Sequence, residues 1–181
     1  MRTLALFFLL TLSLTVAARA VETPEWFAPT SAWQFNSGLE FPGATGSFAI
    51  VSEAGRAAGR LDYDFTAGGR YVGALLSREI DPAFAELRLR MKATTPCKLI
   101  VRLIDSHGEV FQYARPCPGT TGWTDYRIDL SQSTITYADG KNGVADKIID
   151  FPLRGLLLGV EVRKDSQSKG EALFSNIELV Q

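Results

Sequence analysis

The sequence predicts an all-β chain folded as an antiparallel β-sandwich, and three features of the text carry that prediction. Eight or nine short strand-like runs follow one another from Trp33 to the C-terminus. Clusters of Gly, Pro, Asn and Asp separate them at short, regular spacing. No helical periodicity intervenes between them.

Taken in order, Met1 to Ala20 reads as a targeting segment. Arg2 supplies a positive start, Leu4 to Val16 is almost wholly apolar, and Ala18-Arg19-Ala20 matches a small-residue cleavage site. The apolar run is short for a bilayer crossing, which takes about 20 residues. Residues 21–32, with Pro24, Trp26 and Pro29, have no periodicity and are expected to form an N-terminal arm. The sandwich is expected over 33–181. Phe48 to Ser52 is a short strand. In Arg60 to Thr66, Leu61, Tyr63 and Phe65 point one way while Asp62 and Asp64 point the other. Gly68-Gly69 breaks that run and Tyr71 to Ser77 resumes it. Glu86 to Lys92 alternates strictly, with Leu87, Leu89 and Met91 inward and Arg88, Arg90 and Lys92 outward. Trp123 to Leu130, Gly155 to Lys164 and Ala172 to Val180 are the later strands. One helical turn is expected over Ile80 to Ala85, where Asp81 can cap and Pro82 suits a first helical position.

Cys97 to Cys117 is the best specified stretch. Two alternating runs flank Ser106-His107-Gly108, and glycine suits the last position of a three-residue hairpin loop, where φ is positive. That turn sets Asp105 opposite Glu109, Arg102 opposite Gln112 and Cys97 opposite Cys117. Two facing cysteines in an exported chain are expected to form a disulfide; the alternative is a pair of buried thiols. Leu99, Val101, Leu103, Phe111 and Tyr113 share one hairpin face. Lys98, Ile100, Arg102, Ile104, Val110 and Gln112 share the other.

Those faces supply the candidate site. If Arg88, Arg90 and Lys92, and also Glu161 and Arg163, belong to the same sheet as the hairpin, its outer face is polar, with Arg102 and Gln112 paired near the middle. Trp26, Trp33, Trp123, Tyr71 and Tyr137 are the candidate stacking platforms. Trp33 and Trp123 read as core or edge residues. Tyr71 sits in a glycine-flanked segment, and Tyr137 in the long polar connection Ser131 to Pro152. Asp139 to Gly143 superficially resembles a hard-cation loop but lacks the spacing of an EF-hand.

The charge balance, 19 basic against 20 acidic residues, argues against nucleic acid as a partner. Catalytic patterns are absent from the text: no GxSxG, HExxH or P-loop string occurs, and the single histidine, His107, lies at a hairpin turn. No pair of carboxylates is singled out as a glycosidase pair would be.

Several strings together resemble the galactose-binding-like jelly-roll domains, in particular the carbohydrate-binding modules of bacterial secreted glycosidases. They are Trp33-Gln-Phe35, Glu40-Phe-Pro-Gly-Ala44, Leu61-Asp-Tyr-Asp-Phe65, Tyr71-Val-Gly73, Val101-Arg-Leu-Ile-Asp105, Phe111-Gln112, Gly122-Trp123 and Ala172 to Leu179. The resemblance implies no catalysis, and glycan binding on a sheet face or at edge loops. It also implies a structural calcium ion held by an early acidic residue, which Glu40 matches, and by an Asp in the last strand. Ser175 stands where that Asp is usual, a departure from the pattern, so no cofactor is expected beyond that calcium ion. The expected protein is a monomeric, secreted or periplasmic bacterial carbohydrate binder without a membrane anchor, with Arg102, Gln112, Tyr71, Tyr137, Arg88 and Arg90 toward the ligand. A separate glycosidase or an envelope protein is a further expected partner. The alternative is an envelope scaffold of the same fold that docks protein rather than glycan.

Overall fold

The computed structural model describes residues 25–28, 31–81, 83–120, 122–140, 145–162 and 168–181. The targeting segment, Pro82, Arg163 and residues 141–143 of the Asp139 to Gly143 turn lie outside them.

Alternating sequences produce two antiparallel sheets that face each other. The six-stranded sheet runs in the order β1 (Trp33–Asn36), β4 (Tyr71–Leu76), β10 (Gly155–Glu161), β6 (Cys97–Ile104), β7 (Val110–Cys117) and β9 (Tyr137–Asp139). The five-stranded sheet runs β2 (Thr45–Glu53), β3 (Arg56–Asp64), β11 (Lys169–Val180), β5 (Glu86–Ala93) and β8 (Thr124–Asp129). Side chains of one parity fill the space between the sheets, among them Leu61, Leu87, Met91, Leu99, Val101, Phe111 and Leu158, all buried. A single 3₁₀ turn, Gln132–Thr134, is the helical structure among the described residues.

The hairpin register is the expected one: Cys97 faces Cys117, Arg102 faces Gln112, and Gly108 has φ +85°. The Asp105 carboxylate closes the turn, accepting the His107 N–H at 2.9 Å and the Glu109 N–H at 2.8 Å. Cys97 and Cys117 are thiols in this structure, one half-buried and one buried.

Three expectations change. The described residues of 80–85 are not helical; Ile80 exchanges backbone hydrogen bonds with Leu153, and the Ala85 N–H is taken by Val180. The N-terminal arm is in part core: Trp26 and Phe27 are each 4% exposed. Phe27 stacks on Trp33, and the Trp33 indole donates to the Trp26 carbonyl at 2.7 Å. Gly59 makes the room, since a Cβ there would lie 2.6 Å from both Phe27 and Phe48. Finally, β5 lies in the five-stranded sheet. Arg88 and Arg90 therefore belong to the surface opposite Arg102, pairing with Glu86 and with Asp125. Sequence adjacency to the hairpin had no bearing on which sheet β5 joined.

Burial pushes the phenols of Tyr63, Tyr71 and Tyr113 up to about 12. Unfolded tyrosines ionise near 10, so between about pH 10 and pH 12 the unfolded chain loses protons that the folded chain keeps. Stability is therefore present below pH 10 and falls as pH rises through that window. Urea midpoints taken from about pH 9 to pH 11.5 should decline steeply above pH 10; a flat profile would contradict the burial of these hydroxyls.

Candidate ligand-binding groove

The outer face of the six-stranded sheet carries three successive rows, fixed by strand register. Leu75, Leu157, Arg102, Gln112 and Tyr137 align across β4, β10, β6, β7 and β9. The next row is Gly73, Gly159, Ile100 and Ala114, and the one beyond is Tyr71, Glu161, Lys98 and Pro116. The middle row must be small. A Cβ on Gly159 would sit 2.4 Å from the Val72 carbonyl oxygen and 3.1 Å from Ile100. Tyr71, Ile100 and Leu157 form a second apolar cluster on this outer face, with Leu75 and Ala114 packed against it.

Arg102 lies on that cluster, its guanidinium carbon 4.0 Å from the Tyr71 ring centroid. Its Nε donates to Gln112 Oε1 at 2.8 Å, and its Nη1 to the Tyr71 hydroxyl at 2.7 Å. The Tyr71 hydroxyl in turn donates to Glu40, whose carboxylate is also 3.3 Å from Arg102 Nη1. The Arg102 side chain is 15% exposed, so these partners offset the loss of hydration of its charge. Burial raises the Tyr71 phenol, and its bond to the Glu40 carboxylate adds to that shift. Burial also works to raise Glu40, but hydrogen bonds from Tyr71 and Arg102 outweigh it and hold the carboxyl below its ordinary value.

Walls turn this floor into a groove of about 660 Å³, within the range of small-ligand sites. Phe41 stands on one side, edge-on to Tyr71 at 6.5 Å between centroids. Tyr137 stands on the other, 48% exposed, its ring 5.9 Å from the Arg102 guanidinium. Thr136, just before β9, is pinned by its N–H and its hydroxyl to the Gln112 carbonyl at 2.8 and 3.0 Å.

Of the residues proposed from sequence, Arg102, Gln112, Tyr71 and Tyr137 meet here. Tyr71 does so differently from the expectation: it is 4% exposed and supports Arg102 rather than offering a free ring face. Trp26 is buried, Trp33 packs against the main core, and Trp123 lies under Arg90 and Lys92 on the other sheet. Glu40 lines the groove. It lies over the six-stranded sheet, whereas Ser175 pairs with Arg90 on the opposite sheet. Sequence reasoning missed Phe41, Arg70 and Arg115 as groove residues; position 70 beside Tyr71 was the one local clue. Elsewhere, Asp105, His107 and Asp150 bring ligand-type atoms within 4.8 Å of one another, but the Asp105 carboxylate already accepts backbone donors.

Solved structures share this architecture. A family 11 carbohydrate-binding module from Clostridium thermocellum, in complex with a β-1,3-1,4-mixed-linked tetrasaccharide, superposes with a TM-score of 0.61. The match has 16% identity and covers 87% of this chain and 93% of that one. The fold is that of carbohydrate-binding modules. The family 11 module of the cellulosomal cellulase Lic26A-Cel5E from the same organism gives a TM-score of 0.60 at 14% identity, over 92% and 96% of the two chains. An exo-β-agarase gives 0.57 at 14% identity; the match covers 87% of this chain but 24% of the agarase. No protein-family model matches the sequence, and no curated protein does.

Removing Arg102 strands Gln112 Oε1 and takes away the donor to the Tyr71 hydroxyl, which keeps only its bond to Glu40. Arg102→Ala should destabilise the carbohydrate-binding-module fold by roughly 2–3 kcal/mol, and Tyr71→Phe by about 1–2 kcal/mol. Because they share one network, the double variant should lose clearly less than the two single losses added together, as read by urea unfolding.

Proposed function

We propose that this protein is an exported, non-catalytic carbohydrate-binding module that holds an oligo- or polysaccharide in the groove of its six-stranded sheet. The observation that carries the reading is the combination, on one sheet face, of an exposed aromatic wall at Tyr137 and a preorganised polar floor. Arg102, Gln112 and Glu40 present fixed donors and acceptors side by side, suited to ring hydroxyls. An aromatic face beside them suits the C–H side of a sugar ring. The sheet face is preferred over the edge loops because the groove lies there. Arg88 and Arg90 fall outside the site.

The carboxylates within the groove support a binding rather than a hydrolytic role. Glu40 is held below its ordinary value, whereas a general acid needs a raised one. Glu161 is occupied by Lys98 at 2.9 Å.

Export follows from the leader, Met1 to Ala20, and in an oxidising compartment the facing thiols of Cys97 and Cys117 would close a disulfide. Protein recovered from such a compartment should be two hydrogens lighter, by intact mass, than the same protein after reduction. Replacing both cysteines by serine should then cost about 3 kcal/mol. An unchanged mass would reject the bridge.

A glycan array probed with and without a chelator tests the main reading. Binding of related glycans in both arms, reduced at least tenfold or so by Tyr137→Ala with the unfolding midpoint unchanged, is the expected result. A blank array would overturn the reading in favour of a protein-docking scaffold.

A further inference from the structure

The groove has a sign. Four cationic side chains, Arg70, Lys98, Arg102 and Arg115, line it against two carboxylates, Glu40 and Glu161, although the whole chain carries a formal charge of −1. Two of the cations are neutralised locally: Arg102 by Glu40 at 3.3 Å and Lys98 by Glu161 at 2.9 Å. Arg70 and Arg115 are not. Among the described residues neither has a carboxylate within ion-pair distance.

Each of the two is nevertheless positioned. The Arg70 guanidinium sits 4.8 Å from the centroid of the Phe41 ring, which orients the cation without cancelling its charge. Arg115 spends one donor on the Ala114 carbonyl at 2.9 Å and keeps the rest of its fork. Both line the same end of the groove, although each stands one residue off the outward parity of its strand. Arg70 immediately precedes Tyr71 and Arg115 immediately precedes Pro116, and Tyr71 and Pro116 end the same row, with Glu161 and Lys98 between them. Three strand spacings separate β4 from β7, about 14 Å. One end of the groove is therefore lined on both sides by an arginine with no carboxylate partner among the described residues.

We infer that the groove selects a negatively charged glycan, with a carboxylate or sulfate substituent taken by Arg70 and Arg115 at this end of the sheet. The inference rests on the glycan-binding reading above and names the class of sugar. A planar guanidinium fork matches the paired oxygens of either anion, whereas a neutral chain gains only ordinary hydrogen bonds from it. Carboxylate and sulfate share this chemistry, so the experiment separates them.

The test is calorimetric titration of the purified protein with two matched pairs: oligogalacturonate against its methyl ester, and a sulfated galactan oligosaccharide against its desulfated form. A panel of neutral β-glucan and mannan oligosaccharides runs alongside. Within at least one pair the charged member should bind roughly tenfold or more tighter, and the advantage should shrink as salt is raised. The pair that shows it identifies the anion. Arg70→Gln with Arg115→Gln should remove the advantage while leaving weak binding of the neutral member and an unchanged unfolding midpoint. Neutral members bound as well as charged ones would overturn the inference and leave the groove reading standing. A charge preference that survives the double variant would overturn its assignment to these arginines. Failure of every sugar, charged and neutral, would overturn both readings together.

Discussion

The buried carboxylate of Asp105 holds the register on which the groove depends. It is fully removed from solvent. One oxygen accepts two N–H groups of its own hairpin, and the other takes the Asp150 N–H at 3.4 Å, tying the returning long connection to the same point. Charge-assisted bonds of this kind are stronger than neutral ones. The register matters because a strand slipped by one residue would exchange its two faces. Arg102 and Lys98 would then turn into the core, and Leu99, Val101 and Leu103 into the groove.

With the register fixed, the six-stranded sheet is asked to be apolar on both sides for part of its area. Ile100 and Leu157 are buried on the outer face as completely as Leu99 and Leu158 are on the inner one. Tyr71 covers them, and Arg102 covers Tyr71. The cation is thus both the lid of a small hydrophobic cluster and the floor of the groove. Its three partners, Gln112, Tyr71 and Glu40, come from β7, β4 and the loop before β2, so the floor is rigid only when the sheet is complete.

How much of this the sequence disclosed depended on distance along the chain. The hairpin pairs are local, and the turn chemistry of Ser106 to Gly108 determined every facing residue from Cys97 to Cys117. Parity along each strand was equally legible, because alternation is a property of neighbours. Sheet membership was not. Arg88 and Arg90 have the right parity for a polar face, but β5 pairs with β11 and β8, a choice made by residues far away in sequence. The burial of Tyr71 was hidden for the same reason. Its bed is made by Leu157 and Ile100 on two other strands, and a glycine-flanked tyrosine looks exposed until those strands are placed beside it. Trp26 and Phe27 lack periodicity because they are buried without following a strand, Phe27 filling the gap over Gly59.

Tyr137 stands apart from this framework. It sits on a strand of three residues at the sheet margin, joined to β7 through Val110, Phe111 and Gln112 alone. The floor is woven from long central strands, whereas the aromatic wall hangs from a short edge held by a few backbone bonds and Thr136. Such margins open at lower free energy than a sheet's centre. The groove accordingly joins two parts of unequal cost: its aromatic wall can be rebuilt, lengthened or lost without unpicking the sandwich, while its polar floor cannot.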